Sequence, residues 1–531
     1  MSETNEVVQA PSLIIKDGQE WTFDMIDDTY NILERIWKAK YKRSYYPNQL
    51  EIISSEQMLD AYSAVGMPLM YTHWSYGEQF IREQEAYKRG YMGLAYEIVI
   101  NSEPCIAYLM EENTMLMQAL VIAHANFGHN TFFKNNYLFK QWTDAGSIID
   151  YLAFAKKYIA SCEEKYGIDE VESLLDAAHS LQHYGVDKYK HPPKLSPAAE
   201  EKLQKEREQY VQSQLNDLWR TVPKRLGGKP GTVDEDRFPK EPQENLLYFI
   251  EKNAPRMEDW KREIIRIVRK IAQYFYPQGQ TKLMNEGCAT YFHYKLIHDL
   301  YDEKIVTDGA LMEFYHSHTG VIRQLDFDHK YYSGLNPYAL GFAMYQDIER
   351  IAMNPTEEDR EWFGNQEWVG SGDYLAAIDF AIAGFKDESF IQQFLSPKVI
   401  RDFKMFSLHD DEADPKYLIS AIHNKQGYKA VREALAKQYN FGYMIPDIQV
   451  TNVDRWGDRT LTLNHYMVNK RPLDPETTTE TLRKIAYLWG YSVKLNSVDE
   501  SNEVRASFEV QGDKTLLDVF LDDGNSDMAK G

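Results

Sequence analysis

The run MLMQALVIAHANF at residues 115–127 constrains the fold most, because it has helical character yet is apolar on nearly every side. A helix of that kind has no face to offer water, so other elements must enclose it. Thr114 stands where an N-cap is expected, and Gly128 stands where such a helix can end. Two histidines, His124 and His129, close the stretch. Imidazoles buried there need partners, since an unpaired polar group in an apolar interior costs free energy.

The chain is large enough to build that enclosure. Its 531 residues, 43% hydrophobic and 13% aromatic, exceed a typical single domain of about 100–200 residues. Residues 1–20 read as a mobile leader, and helical spacing begins at Trp21 with WTFDMIDDTYNILERIWKAKY. The runs AYEIVI and CIAYLM flank Asn101-Ser102-Glu103-Pro104 and read as a β hairpin. Residues 21–442 are expected to form a composite helical core, interrupted at 190–243 by a charged surface helix and a linker rich in Pro and Gly. Near Pro446 the pattern changes. IQVTNV and TLTLNHYMV alternate as strands, TTTETLRKIAYLWG is helical, and YSVKLN and VRASFEV are strands again. The expected fold class is mainly α with a small β hairpin region (α+β), plus a C-terminal β-β-α-β-β α/β sandwich domain over 443–514 and an acidic tail over 515–531.

Charge and cysteine usage exclude several functions. A formal charge of −22 without a separate basic run lacks the footprint for nucleic-acid phosphates. No window approaches the ~18 apolar residues of a membrane span, and the N-terminus lacks a secretory pattern, so a cytoplasmic location is expected. Cys105, Cys162 and Cys288 are too few and scattered for a disulfide framework or a CxxC zinc site.

Two clusters carry candidate chemistry. His124 and His129 are five apart, roughly 140° around a regular helix, so both reach one ion only if the helix breaks, with Gly128 the expected breaking point. In KLMNEGCATYFHYKLI, Glu286 and His293 are seven apart and share one helical face. Imidazole and carboxylate suit zinc or another divalent transition metal, and either group can move protons. Each cluster equally fits core histidines satisfied by hydrogen bonds. Glu313 and His316 form an ExxH pair without a second ExxH, and His316 and His318 are candidates to border the pocket. Glu111 and Glu112 sit before the buried helix as dipole-favouring charges, and both are also general-base candidates. Cys105 in an apolar strand and His73 in YTHWSYG read as packing.

The stretches ISSEQMLDAYSAVGMP (53–68), GLAYEIVINSEPCIAYLMEENT (93–114), QALVIAHANFGHNTFFKNNYLF (118–139), QENLLYFIEKNAP (243–255), MNEGCAT (284–290), LNPYALGFAM (335–344) and FKDESFIQQFLSPKVIRDF (385–403) resemble the stage V sporulation protein R (SpoVR) family, including its YcgB-like branch. The family pattern has Trp where this chain has Cys288, which speaks against a catalytic thiol there. The resemblance implies a cytoplasmic protein linked to spore cortex formation or, elsewhere, to stationary-phase and stress physiology. It also implies a PrkA-like serine kinase and a YeaH-like protein as partners. A looser resemblance is to gluzincin metallopeptidases, in which a helix with HExxH is followed by an NEG-x-A helix supplying a glutamate ligand. It implies His124, His129 and Glu286 as metal ligands; in a metal-dependent enzyme built on them, Glu112 or His293 would handle protons. Ala125 stands where HExxH has its catalytic Glu, and the histidine spacing is one longer. Two functions follow as expectations: a metal-dependent hydrolase or transferase at amide or ester bonds, or a non-catalytic assembly or regulatory partner of the kinase.

Overall fold

The computed structural model describes residues 13–511, apart from 65–66, 68, 89–96, 188–237, 327–328, 333, 406, 410–417, 421–424, 441–444 and 468–470. The acidic tail, most of the 190–243 excursion and the first residues of the leader lie outside the described residues. The leader's second part is not loose: Leu13 and Ile15 are buried, and Ile15 pairs in parallel with Val306. An apolar side chain within reach of the core is worth roughly 1.5–3 kcal/mol when buried, so this segment is drawn in.

The chain divides into two compact units, residues 1–176 with 270–445, and residues 177–269 with 446–531. In the first, α1 (Phe23–Ile36) begins at Thr22, whose side chain accepts from the Met25 amide, and buries Ile26, Leu33 and Ile36. A three-stranded sheet follows, with β3 (Cys105–Met110) central, β1 (Asn48–Ile53) parallel to it and β2 (Glu97–Ile100) antiparallel. The hairpin β2–β3 is the one expected; β1 has no counterpart in the sequence reading.

The apolar run folds as α2 (Met115–Ile122), capped by Thr114, and every residue of it is buried. The helix does not end at Gly128. It continues as a π-helical turn, Ala123–His129, and then as α3 (Asn130–Asn135). Gly128 serves close approach instead, because a Cβ there would lie 2.6 Å from Ala289 Cα. Ala289 belongs to α4 (Lys282–Asp302), which is followed by α5 (Asp308–Val321) and α6 (Pro337–Met353). Gly287 of α4 meets Gly341 of α6 in the same way, a Cβ on it falling 2.5 Å from Gly341 Cα. Asp387 caps α4, accepting from the Leu283 and Met284 amides at 2.9 Å each, where the helix dipole favours an anion. Glycine-mediated contact on both sides and a capped start place α4 tightly against the π turn.

The second unit holds β4 (Asp447–Val453), β5 (Leu461–Tyr466), α7 (Pro475–Trp489), β6 (Val493–Val498) and β7 (Val504–Val510) in the expected β-β-α-β-β order. They form one sheet, β4-β5-β6-β7, with β5 and β6 parallel and the outer pairs antiparallel. Leu482, Ile485 and Trp489 of α7 are buried along with Leu461, Leu463, Val493 and Leu495. The unit's extent differs from the expected boundary at 443. Gln243 bridges to Val450 and the Phe249 ring stacks on Trp489 at 6.1 Å, so residues before the helical core's second half complete this sheet. No described helix is long and apolar enough to cross a membrane.

Candidate metal centre

The π turn solves the problem posed by a five-residue spacing. Bonds of the i→i+5 type, such as Asn130 N–H to the Ala125 carbonyl, bring residues five apart nearly above one another. The His124 and His129 rings accordingly lie 4.6 Å apart, and both are buried. Glu286, on the α4 turn facing them, reaches both imidazoles, with Oε2 3.9 Å from His124 Nε2 and 3.6 Å from His129 Nε2. The expected trio therefore converges.

A fourth group had no place in the sequence reading. Glu97, the first residue of β2, puts Oε1 3.3 Å from His124 Nε2 and 4.0 Å from His129 Nε2. Glu97, His124 and His129 are the described His/Cys/Asp/Glu group whose donor atoms all fall within 4.8 Å. Its sequence signal was a lone acid at the edge of the apolar run AYEIVI. Tyr62 secures this end of β2, its hydroxyl donating to the Glu97 carbonyl at 3.1 Å.

The donors fit a divalent transition metal ion. An ion with ligands about 2.0–2.2 Å away in a tetrahedron separates those ligand atoms by roughly 3.3–3.6 Å, close to the measured spacings. Glu97 Oε2 and Glu286 Oε2 are buried without a hydrogen-bond partner, and among the described residues neither acid pairs with a lysine or arginine. Burial without a compensating cation is unfavourable for carboxylates, and a bound ion relieves it.

The two acids differ in charge state. Burial, with Glu286 nearby and despite His124, pushes the Glu97 carboxyl up to about 7. Burial also opposes charge on Glu286, but His124, His129 and the Tyr338 hydroxyl outweigh it and hold that carboxyl below its ordinary value. His124 is the reverse case: burial works against its charge, and Glu97 and Glu286 raise it overall. Burial and the neighbouring His124 lower His129 to about 4.

Behind the ligand atoms stands a second layer. His129 Nδ1 lies 2.9 Å from Asn285 Oδ1, His124 Nδ1 lies 2.7 Å from His293 Nδ1, and His293 Nε2 lies 3.0 Å from His318 Nδ1. His293 thus stands behind His124 and does not face the carboxylates. Asn285 went unnoticed in sequence because an amide beside Glu286 carries no chemical signature.

Other candidates fall elsewhere. Glu112 is exposed and accepts from the Ser55 amide at 3.3 Å, starting the helix Ser55–Ser63, so it is not a proton-handling group of this centre. Glu111 is likewise exposed. Glu313 accepts from Thr114 Oγ1 at 2.6 Å and the Gly18 amide at 2.8 Å, while His316 is exposed, so the ExxH pair does not converge. His73 is buried against Glu172 and Asp176. Burial pushes the Cys105 thiol up to about 12 and the Cys288 thiol up as well, which leaves both unreactive.

The chain matches the family described as SpoVR like protein over residues 20–444, and the SpoVR-like C-terminal domain over residues 446–500. It is 56% identical over 490 residues to a protein of Escherichia coli (strain K12) named uncharacterized protein YcgB, covering 92% of this chain and 95% of that one. No solved structure matches it.

Proposed function

The chain belongs to the SpoVR family, and on that premise we propose that it is a metal-dependent enzyme acting on an amide or ester bond. The observation that carries this reading is the convergence of two buried imidazoles and two partly buried carboxylates with no lysine or arginine partner among the described residues. His124, His129 and Glu286 would hold the ion, Glu286 because it is the acid kept ionised. A divalent ion there supplies Lewis acidity, polarising a carbonyl and acidifying water. Glu97 supplies the carboxylate that Ala125 leaves out of the HExxH pattern, and its raised pKa suits a group that accepts a proton near neutral pH. Tyr338, beside Glu286 and held protonated by burial, helps to keep that carboxylate ionised. Family membership supports placing this activity in sporulation or stationary-phase physiology, beside a PrkA-like kinase and a YeaH-like protein.

One observation favours a second reading. Four protein donors around one point leave no open position, as in structural metal sites, and that suits a non-catalytic assembly role. Elemental analysis of protein purified without chelator, followed by turnover of ester and amide substrate panels, separates the two. Stoichiometric metal that Glu97→Gln retains while turnover is lost supports the enzyme. Metal without turnover, released by Glu97→Gln, supports the structural ion. Metal-free native protein ends both.

A further inference from the structure

The two ligand histidines are oriented from a single helix. Asn285 and His293, which contact His129 Nδ1 and His124 Nδ1, both belong to α4, as does Glu286 between them. An amide oxygen only accepts, so His129 carries its hydrogen on Nδ1 and presents a bare Nε2.

The His124 side is a chain of three imidazoles, and such a chain has two possible directions. Nitrogens 2.7 and 3.0 Å apart share one hydrogen at each link. In one direction His124 Nδ1–H donates to His293 Nδ1, His293 Nε2–H donates to His318 Nδ1, and His318 ends with a hydrogen on Nε2. His124 Nε2 is then a free lone pair. In the other direction every hydrogen moves to the opposite nitrogen, His124 carries one on Nε2, and it cannot be a ligand. The far end decides between them. His318 Nε2 is buried without a hydrogen-bond partner. Its ring lies among Phe314, Tyr294 and Phe342, with centroids at 5.2, 5.2 and 5.1 Å, and stands T-shaped to Phe342 at 84°. No described donor is there to pair with a bare lone pair on this nitrogen, whereas an N–H among aromatic rings can be received by a ring face.

We infer that Asn285 and the His293–His318 pair are positioning residues, with the aromatic enclosure of His318 setting the tautomer that leaves His124 Nε2 free to bind a metal ion. The inference rests on the metal-binding reading above. It keeps His293 from contacting substrate directly, because its two nitrogens are committed to fixed neighbours.

The test is zinc affinity by competition with a chromophoric chelator, together with the visible spectrum of the cobalt(II) form, on the full chain. His293→Leu and Asn285→Leu are each expected to weaken zinc binding about 10–100-fold and to shift the cobalt spectrum. His293→Gln, which keeps an acceptor, is expected to recover most of the affinity. Ring-nitrogen NMR of the zinc form is expected to show His318 with its hydrogen on Nε2. Wild-type protein that binds zinc while both leucine variants bind it equally well overturns the positioning inference alone. So does a hydrogen on His318 Nδ1, which stays readable if a leucine variant fails to fold. Wild-type protein that does not bind zinc or cobalt overturns the metal reading itself.

Discussion

Glu251 of the second unit and Glu97 of the first are both inward-facing acids of one chain, and they meet opposite surroundings. Glu251, 1% exposed, takes Arg266 Nε at 2.9 Å, Arg269 Nε at 3.1 Å and Lys252 Nζ at 2.8 Å. Burial opposes its charge, but these cations win and hold its carboxyl below the ordinary value. Among the described residues Glu97 meets the His124 and His129 imidazoles and the second acid Glu286, and burial drives its carboxyl up. A buried acid that brings its own cations is part of the scaffold. One that faces a second acid and two imidazoles belongs to a donor set able to hold a divalent cation.

The sharpest way to break this contrast is to remove a ligand. His124→Ala is expected to take bound metal from about one ion per chain to none by elemental analysis, whereas Glu251→Gln leaves metal content unchanged. Equal metal in wild type and His124→Ala would erase the distinction. Stability gives the next largest effect. Glu251→Gln removes a carboxylate from two arginines, and because Arg266 keeps its pair with Glu263 and is 34% exposed the loss should sit near the lower end of the ~3–5 kcal/mol seen for broken buried pairs. Denaturant unfolding measures it. Glu97→Gln in metal-free protein carries the opposite sign, a gain of about 1–2 kcal/mol at pH 8, since it removes a carboxylate that burial penalises.

The pH dependence separates the two acids by direction. Glu251 has a depressed pKa, so its contribution is present above the ordinary 4.5 and is lost as pH falls through its folded value. Glu97 has a raised one, so between 4.5 and about 7 the folded metal-free protein holds a proton that the unfolded chain has released, and stability falls as pH rises through that window. Unfolding curves of metal-free wild type and Glu97→Gln at pH 5 and 8 are expected to differ in slope by this component, and identical slopes would remove it. The smallest effect belongs to Glu112→Gln, within about 0.5 kcal/mol and without change in metal content, as for an exposed residue outside the centre.

Much of the centre was legible in the chain because burial and chemistry coincide there. Histidines at the end of an all-apolar helix and a Glu–His face on another helix stand out in any pattern built on 3.6-residue turns. That same pattern hid the geometry joining them. It placed His124 and His129 on different faces and asked for a break at Gly128, whereas a π turn aligns them and Gly128 admits Ala289. Glu97 was hidden because a single acid at a strand edge looks like an ordinary exposed end.

What the sequence determined by itself was local and periodic: the buried helix with its Thr114 cap, the β2–β3 hairpin, the β-β-α-β-β unit and the residue types able to bind an ion. Propensity, capping and apolar spacing act over a few residues, so they can be read in one dimension. Tertiary structure decided which acid meets which imidazole, which hydrogen each histidine keeps, and which segments complete the C-terminal sheet. Those choices depend on contacts between residues far apart in the chain, such as Glu97 with His129 and Gln243 with Val450, and no local pattern encodes such a pairing.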